Sequence, residues 1–233
     1  MMRALLVLLF LFPYTFVAGL VGCAIAVVLR TAAPLYALGR GGVRGALFLA
    51  GTRIEVVGKE HLADGRNTVI VANHVSHLDA PVLLQALGVD FKAVAKKEVF
   101  RIPVLGSVLR LAGFIEVDRA DRTQATRAIA RSVAALRAGD CFVIFPEGTR
   151  SRTGELGPFK KGGFVVAMDA GSRIVPVALT GTGELMPRGG FRIRPGRVTV
   201  RVLDPVPTER YSYADRDALV ADVRERMRAA LAG

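Results

Sequence analysis

The feature that most constrains this chain is an uncharged apolar stretch at its N-terminal end. Residues 4–29 contain no Asp, Glu, Lys or Arg, and they are bracketed by Arg3 and Arg30. At about 1.5 Å per residue, a helix over this stretch is long enough to cross a hydrocarbon core of about 30 Å. Pro13 lies inside the stretch and is expected to kink or break the helix. The pattern predicts a membrane helix that anchors the domain that follows.

The residues after this stretch carry positive charge and no acid as far as residue 53. This asymmetry predicts that the rest of the chain lies on the cytoplasmic face of the cell membrane. A second apolar stretch, residues 46–51, is too short to span, so the two stretches together form either one crossing or a helical hairpin lying in one leaflet. Residues 1–52 are therefore predicted as a membrane-anchoring segment. The basic residues behind the orientation are Arg30, Arg40, Arg44 and Arg53.

Two other interpretations of the N-terminal segment stay open. Arg3 with the apolar run is also typical of a secretory signal. Leu20-Val21-Gly22-Cys23 is similar to a bacterial lipoprotein cleavage box, but the sequence after Cys23 stays apolar instead of becoming a polar tether.

Composition narrows the class of the remaining chain. The 233 residues suffice for one ordinary domain with a short appendage, and 22% charged residues exclude a bundle of membrane spans. Lys and Arg number 32 against 20 Asp and Glu, a net charge of 32 − 20 = +12, which favours an anionic partner such as nucleic acid, acidic lipid or a phosphorylated substrate. Two cysteines, Cys23 and Cys141, build neither a disulfide framework nor a thiolate zinc site.

From about residue 53 short β-rich runs alternate with helical ones. The alternation predicts an α/β domain over residues 53–233, with a mixed β-sheet flanked by helices. The predicted strands are 53–57, 68–72, 91–95, 114–117, 141–145, 174–179 and 198–203. The predicted helices are 80–87, 99–111, 122–137, 162–169 and 214–231.

His74 and Asp79 are the first candidate catalytic pair, because they follow a predicted strand where α/β sheets place active sites. A histidine accepts a proton from a hydroxyl near neutral pH, and a carboxylate on its other ring nitrogen fixes the tautomer. The alternative is structural: Ser76 and Asp79 form a helix start and His74 merely ends a strand. A metal site built with His77 has weak support, since His61 is the only other histidine, and no metal is predicted.

A second cluster, residues 145–152, follows the predicted strand at 141–145. Its proline and glycine form a tight loop with free amides, and its hydroxyl and guanidinium groups suit phosphate. Glu147 is expected to orient this loop by gripping an arginine. An ordinary basic surface turn is the alternative. The loop's candidate anion-binding residues are Glu147, Gly148, Thr149 and Arg150.

Two further basic sites are candidates for anion or lipid contact. Arg119 ends a predicted strand and either reaches a phosphate or pairs with a neighbouring acid. Lys96 and Lys97 precede a stretch where basic and bulky apolar residues mix, as in an interfacial helix or a core helix with a charged start. The sequence has no Gly-x-Ser-x-Gly elbow, phosphate loop or complete dinucleotide fingerprint, so covalent serine catalysis and nucleotide hydrolysis lose support.

Four of these elements, taken in order, make the chain resemble the 1-acyl-glycerol-3-phosphate (lysophosphatidic acid) O-acyltransferase family. Residues 73–79 are similar to its H-x-x-x-x-D motif, 113–119 to its second block, 145–150 to its third and 175–177 to its short fourth. The likeness extends from about residue 55 to 205, and the family also has an N-terminal membrane helix.

The resemblance implies transfer of a fatty acyl group from a coenzyme A or acyl-carrier-protein thioester to the sn-2 hydroxyl of lysophosphatidic acid, giving phosphatidic acid. It implies His74 as general base oriented by Asp79, with no acyl-enzyme, and Arg119 with the loop 147–150 holding the acceptor phosphate. Lys96 and Lys97 would contact the thioester carrier or lipid. It implies no cofactor besides the co-substrate, and membrane lipids rather than nucleic acid as partners. The alternatives are another acceptor (glycerol 3-phosphate, a lyso-ornithine lipid or another lysophospholipid) and a non-enzymatic, membrane-tethered protein that binds anionic lipid.

Overall fold

The N-terminal region folds as a helical hairpin. A computed structural model describes residues 2–118, 121–190 and 192–232. The hairpin consists of α1 (Met2–Leu29) and α2 (Ala33–Ala50), which pack side by side. The expected break at Pro13 does not occur: α1 runs through it, because a proline removes only one hydrogen bond from a long helix. Within the described ranges α1 is the one helix with the length and hydropathy of a membrane span, and most of its surface is exposed.

Aromatic side chains of α1 close the hairpin against glycines of α2. The ring of Tyr14 occupies the space where Gly42 would carry a Cβ, and Phe10 does the same at Gly45. Tyr14 Oη also donates a hydrogen bond to the Leu38 carbonyl, at 2.9 Å. The second helix is therefore much longer than the apolar run at 46–51, because packing rather than hydropathy defines it.

The body of the protein is a mixed sheet in the order β1-β8-β7-β2-β6-β3, with β9 paired to the free part of β7. A separate parallel pair joins β4 and β5. The strands are β1 (Thr52–Val57), β2 (Thr68–Ala72), β3 (Phe91–Lys92), β4 (Val94–Lys96), β5 (Ile115–Val117), β6 (Cys141–Ile144), β7 (Arg173–Thr180), β8 (Gly196–Val202) and β9 (Val206–Pro207).

Strand direction decides which chain ends meet. Strands β7, β2, β6 and β3 are parallel, whereas β8 runs antiparallel to β7 and parallel to β1. The carboxyl ends of β2, β6 and β7 therefore lie at the same edge of the sheet as the beginnings of β1 and β8. The α1–α2 hairpin joins the sheet at this edge, since α2 leads into β1 through Gly51.

Alternate residues of β2 divide the core into two layers. Ile70 and Ala72 pack on the side of α2 and α3, and Val69 and Val71 pack on the side of α6, α7 and α9. This alternation is what a strand buried on both faces requires. The remaining helices are α3 (Asp79–Leu87), α4 (Lys97–Phe100), α5 (Leu105–Leu111), α6 (Arg122–Arg137), α7 (Gly162–Ala170), α8 (Thr182–Leu185) and α9 (Arg216–Ala232).

The predicted α/β architecture is confirmed, with two local corrections. The strand predicted at 91–95 is two short strands, β3 and β4, that belong to different sheets. The helix predicted at 99–111 is interrupted between α4 and α5, where Pro103 is followed by Val104 at a φ of 64°. Proline disfavours helical geometry in the residue before it, which explains the interruption. The predicted boundary between residues 52 and 53 falls inside β1.

Candidate active site

The site begins where β2 ends. The Asn73 amide group donates to the Leu179 carbonyl at 2.9 Å, and its oxygen accepts from the Leu179 N–H at 2.8 Å. Asn73 is buried, and these two hydrogen bonds extend the pairing of β2 with β7 by one residue beyond the end of β2. The next residue, His74, leaves the sheet from a fixed point.

His74 and Asp79 form the pair that the sequence predicts. His74 Nδ1 lies 2.7 Å from Asp79 Oδ2, and the Asp79 side chain is fully buried. The same oxygen accepts the backbone N–H groups of Val75 and Ser76, each at 2.8 Å. Because a carboxylate oxygen that accepts two backbone N–H groups is placed to accept a third hydrogen bond, Nδ1 is the donor of this contact and Nε2 is left for another partner. The geometry orients the imidazole for proton transfer at Nε2.

Glu147 holds the backbone at His74. Its Oε1 accepts the His74 N–H at 2.8 Å and its Oε2 accepts the Gly157 N–H at 3.0 Å. The expectation that Glu147 grips an arginine is wrong, because both of its oxygens face backbone amides. The Ser151 N–H donates to the His74 carbonyl at 2.7 Å. The loop after β6 thus secures His74 by both of its main-chain groups.

An aromatic ring limits the motion of the imidazole. Phe145 directly follows β6, and its ring stacks on His74 with centroids 4.2 Å apart and planes 22° apart. With Asp79 at one ring nitrogen and Phe145 against one face, the imidazole has little freedom to rotate.

Positive charge gathers beside the histidine. Arg150 Nη1 is buried, and no hydrogen-bond partner for it occurs in the described part of the chain. Partial burial lowers the pKa of His77, and the Arg150 guanidinium lowers it further, as expected for a cation close to this histidine. The Lys160 side chain covers Gly148, its Nζ 2.8 Å from where a Cβ would lie. These groups are suited to an anion.

Other predicted residues have different surroundings. Thr149 is exposed in the same loop. Lys97 makes an ion pair with Asp118, whereas Lys96 is exposed at the end of β4. Arg119 lies outside the described residues.

Cys141 lies on β6 in the buried core. Burial raises the pKa of Cys141 to about 12, so its thiol stays protonated in the core. Among residues 2–118, 121–190 and 192–232, no three His, Cys, Asp or Glu side chains gather in a way suited to a metal ion.

Sequence reasoning missed three positioning contacts. Ser76 Oγ donates to the Met186 carbonyl at 2.8 Å and ties the histidine loop to the segment after α8. Asn73 bridges two strands, and the Lys160 side chain covers Gly148, which lies 160 − 148 = 12 positions before it. Only the polar character of Ser76 and Asn73 beside the motif hinted at such roles.

The family of the chain follows from comparison with known proteins. Residues 53–180 match the family model described as Acyltransferase, and the chain belongs to this family.

Named relatives point to one branch of the family. The chain is 34% identical over 180 residues to a 1-acyl-sn-glycerol-3-phosphate acyltransferase of Limnanthes douglasii, covering 77% of this chain and 63% of the relative. It is 35% identical over 181 residues to the alpha form from Homo sapiens, covering 77% and 64%. A chloroplastic relative from Arabidopsis thaliana is 38% identical over 156 residues, covering 66% and 44%. The chain thus spans between two fifths and two thirds of the length of these curated relatives.

A solved structure extends the likeness to the whole chain. The crystal structure of the 1-acyl-sn-glycerophosphate (LPA) acyltransferase PlsC from Thermotoga maritima superimposes with a TM-score of 0.80 at 26% identity. The alignment covers 99% of this chain and 95% of that protein. The N-terminal hairpin is therefore included in the shared fold.

Proposed function

We propose that this protein transfers a fatty acyl group from a coenzyme A or acyl-carrier-protein thioester to the sn-2 hydroxyl of 1-acyl-glycerol-3-phosphate, producing phosphatidic acid. The observation that carries the proposal is the 2.7 Å contact between His74 and the buried carboxylate of Asp79. The names of the relatives support the choice of acceptor.

In the proposed reaction His74 works as general base. Its Nε2 takes the proton of the acceptor hydroxyl as that oxygen attacks the thioester carbonyl. The carbon–oxygen bond forms, a tetrahedral intermediate collapses and the carbon–sulfur bond breaks. The imidazolium, stabilised by Asp79, returns the proton to the departing sulfur. No acyl-enzyme forms, and the atoms and the proton balance.

The acceptor phosphate is assigned to the cations beside His74. The Arg150 guanidinium has a buried nitrogen without a partner in the described residues, and such a group gains most from a charged oxygen. Thr149 and the backbone around Gly148 add donors, and Arg119 remains part of the proposal. Holding the phosphate places the hydroxyl next to the base, so that positioning contributes to the rate.

An acyl chain is assigned to the apolar cavity between the hairpin and the catalytic body. The cavity is open at one side and lies between α1, α2, α3 and α5, where apolar groups dominate its surface. Its walls include Leu11, Leu35, Gly39, Leu84, Leu105 and Val108.

The membrane is assigned to the exposed face of α1. An 18-residue window of this helix has a mean hydropathy of 2.4, and most of the large apolar side chains of the helix face outward. The arginines that follow it favour the cytoplasmic face for the catalytic body. Lys96 and Lys97 remain candidate contacts for the thioester carrier or lipid headgroups.

An acceptor panel tests the proposal. The purified full chain in mixed micelles receives labelled acyl-CoA or acyl carrier protein with lysophosphatidic acid, glycerol 3-phosphate, lyso-ornithine lipid or lysophosphatidylcholine. We expect labelled phosphatidic acid as the main product. Preferential acylation of another acceptor would refute the assigned acceptor, and no transfer to any acceptor from either donor would refute the activity.

A further inference from the structure

The segment formed by α4, α5 and the turn between them, residues 97–111, exposes apolar side chains that a folded body normally covers. Ile102 is 48% exposed and Leu111 is 42% exposed. Arg101 and Arg110 are exposed directly beside them. Large apolar groups alternating with cations are the chemistry of a surface that rests on lipid headgroups.

The turn in this segment is fixed against α1. Val104 has a φ of 64°, a conformation that is strained for a β-branched residue. Its side chain fills the space beside Gly19, where an added Cβ would lie 2.4 Å from Val104 Cγ1. Val108 lies against the same glycine. The strained residue is therefore held by its contact with α1, and the exposed Ile102 is two residues away from it.

The charge of the segment favours an anionic surface. Arg110 Nη2 forms an ion pair with Glu116 Oε2 at 3.4 Å, and because this pair is exposed to solvent it contributes little to stability. The Arg110 guanidinium also lies over the Phe100 ring. Arg101 extends into solvent next to Ile102. Each basic residue close to an anionic leaflet strengthens membrane binding.

From this arrangement we propose that residues 97–111 are a second membrane-contact element, which inserts Ile102 and Leu111 at the headgroup boundary and places Arg101 and Arg110 on lipid phosphates. The proposal rests on the assigned membrane face of α1, because the segment is continuous with that helix through Val104 and Gly19. With two contacts instead of one, the body cannot swing about the hairpin.

The absence of tryptophan from the sequence makes a direct test simple. Three full-length variants carry one tryptophan each: Phe12→Trp on the exposed face of α1, Ile102→Trp in the segment, and Tyr213→Trp. Phe12 is 81% exposed and Tyr213 is 59% exposed. Tyr213 precedes α9, in the layer on the other face of the sheet, and serves as the control.

Each variant is reconstituted into vesicles of phosphatidylcholine and phosphatidylglycerol containing brominated lipid, which quenches nearby indoles. We expect bromine near the headgroup to quench about half of the emission at position 102, as for a side chain in the interfacial region. The tryptophan at 213 should keep its emission. Leu111→Trp repeats the measurement, and replaces Ile102→Trp if that variant does not fold.

A second set of measurements tests whether the arginines of the segment bind lipid phosphates. In the Ile102→Trp protein, quenching should rise with the fraction of phosphatidylglycerol, and Arg101→Gln with Arg110→Gln should remove that dependence. The matched control is Arg127→Gln with Arg131→Gln, two exposed arginines on α6 in the opposite layer.

The outcomes are distinguishable without measuring catalysis. Quenching at 12 but not at 102 or 111 would overturn this inference and leave the membrane placement of α1 intact. No quenching at any of the positions would refute that placement as well. Neither result depends on acyl transfer, which the acceptor panel tests separately.

Discussion

The carboxylate of Glu147 accepts the backbone N–H of His74, so a side chain from the loop after β6 determines where the residue after Asn73 leaves β2. The other oxygen of Glu147 accepts the Gly157 N–H and ties down the far end of the same loop. The proposed base and the proposed anion loop are thereby built as one rigid unit. Disturbing Glu147 should affect the chemistry although the residue touches no reacting atom.

Glu147→Gln should lower kcat by about 10- to 100-fold, because small displacements of a catalytic group have effects of that size. A glutamine has one acceptor oxygen for two amides, so the variant should also lose about 1–3 kcal/mol of stability. Steady-state kinetics and thermal unfolding in micelles measure the two effects. Glu155→Gln, an exposed acid of the same loop, is the control and should change neither. Wild-type kcat in Glu147→Gln would contradict this positioning role.

His74→Ala should reduce kcat by about 10²- to 10⁴-fold, the usual contribution of a general base, while the protein keeps its circular dichroism spectrum. Asp79→Asn should also reduce kcat, because an amide can donate to Nδ1 and so stabilise the wrong tautomer. Near-normal turnover in His74→Ala would remove the proposed mechanism.

Arg150→Gln should raise the KM for the anionic acceptor more than it lowers kcat. It should also raise the pKa of His77 towards its ordinary 6.5, because one of the nearby charges that oppose protonation is gone. Titration of ¹³C-labelled histidine by NMR measures that pKa, with the exposed Arg152→Gln as control. A pKa of His77 that does not move would place Arg150 away from the histidines.

The contact between Gly19 and Val104 predicts a compensating pair of substitutions. Gly19→Ala should cost about 1–3 kcal/mol, since the new Cβ meets Val104 Cγ1 at 2.4 Å. Val104→Ala removes that atom and leaves Cβ atoms 3.8 Å apart, so the double variant should be more stable than the sum of the single changes. Thermal unfolding of the four proteins gives the coupling energy, and strict additivity would argue against the contact.

Gly39→Leu should shift the acyl preference towards shorter chains. Gly39 lines the apolar cavity, and a Cβ added there meets no neighbouring side chain of the described residues within 4 Å. A side chain can therefore start at this position without a clash of its Cβ, and we expect leucine to fill part of the cavity. Competition between thioesters of different chain lengths measures the preference, and Gly39→Ala, with a smaller added volume, should shift it less. An unchanged chain profile would place the acyl group elsewhere.

Much of the fold was predictable from the sequence because its signals are local. The strand 68–72 and the helix 122–137 match the structure at both ends, since an apolar run and an N-capping Asp121 mark their limits. Pro103 is a local signal for the interruption of the helix predicted at 99–111, but the positive φ of Val104 goes with its contact against Gly19 of α1, which is far away in sequence. The short strand β9 likewise exists only through its pairing with β7.

The candidate site was predictable in its chemistry but less so in its connections. His74 and Asp79 are five residues apart in one turn, so their contact can form independently of how that turn packs in the rest of the fold. The two partners of Glu147 lie 73 and 10 positions away, the partner of Ser76 lies 110 positions away, and no local pattern specifies them.

The antiparallel placement of β8 has a consequence for how the proposed lipid substrate reaches the site. It brings the start of β1, and so the root of the hairpin, to the same rim as His74. In the proposed reaction, a lysolipid in the leaflet presents its headgroup to the imidazole while its acyl chain stays among the lipid chains, so no transfer through water is needed. The proposed product, which has two acyl chains, is released into the same leaflet.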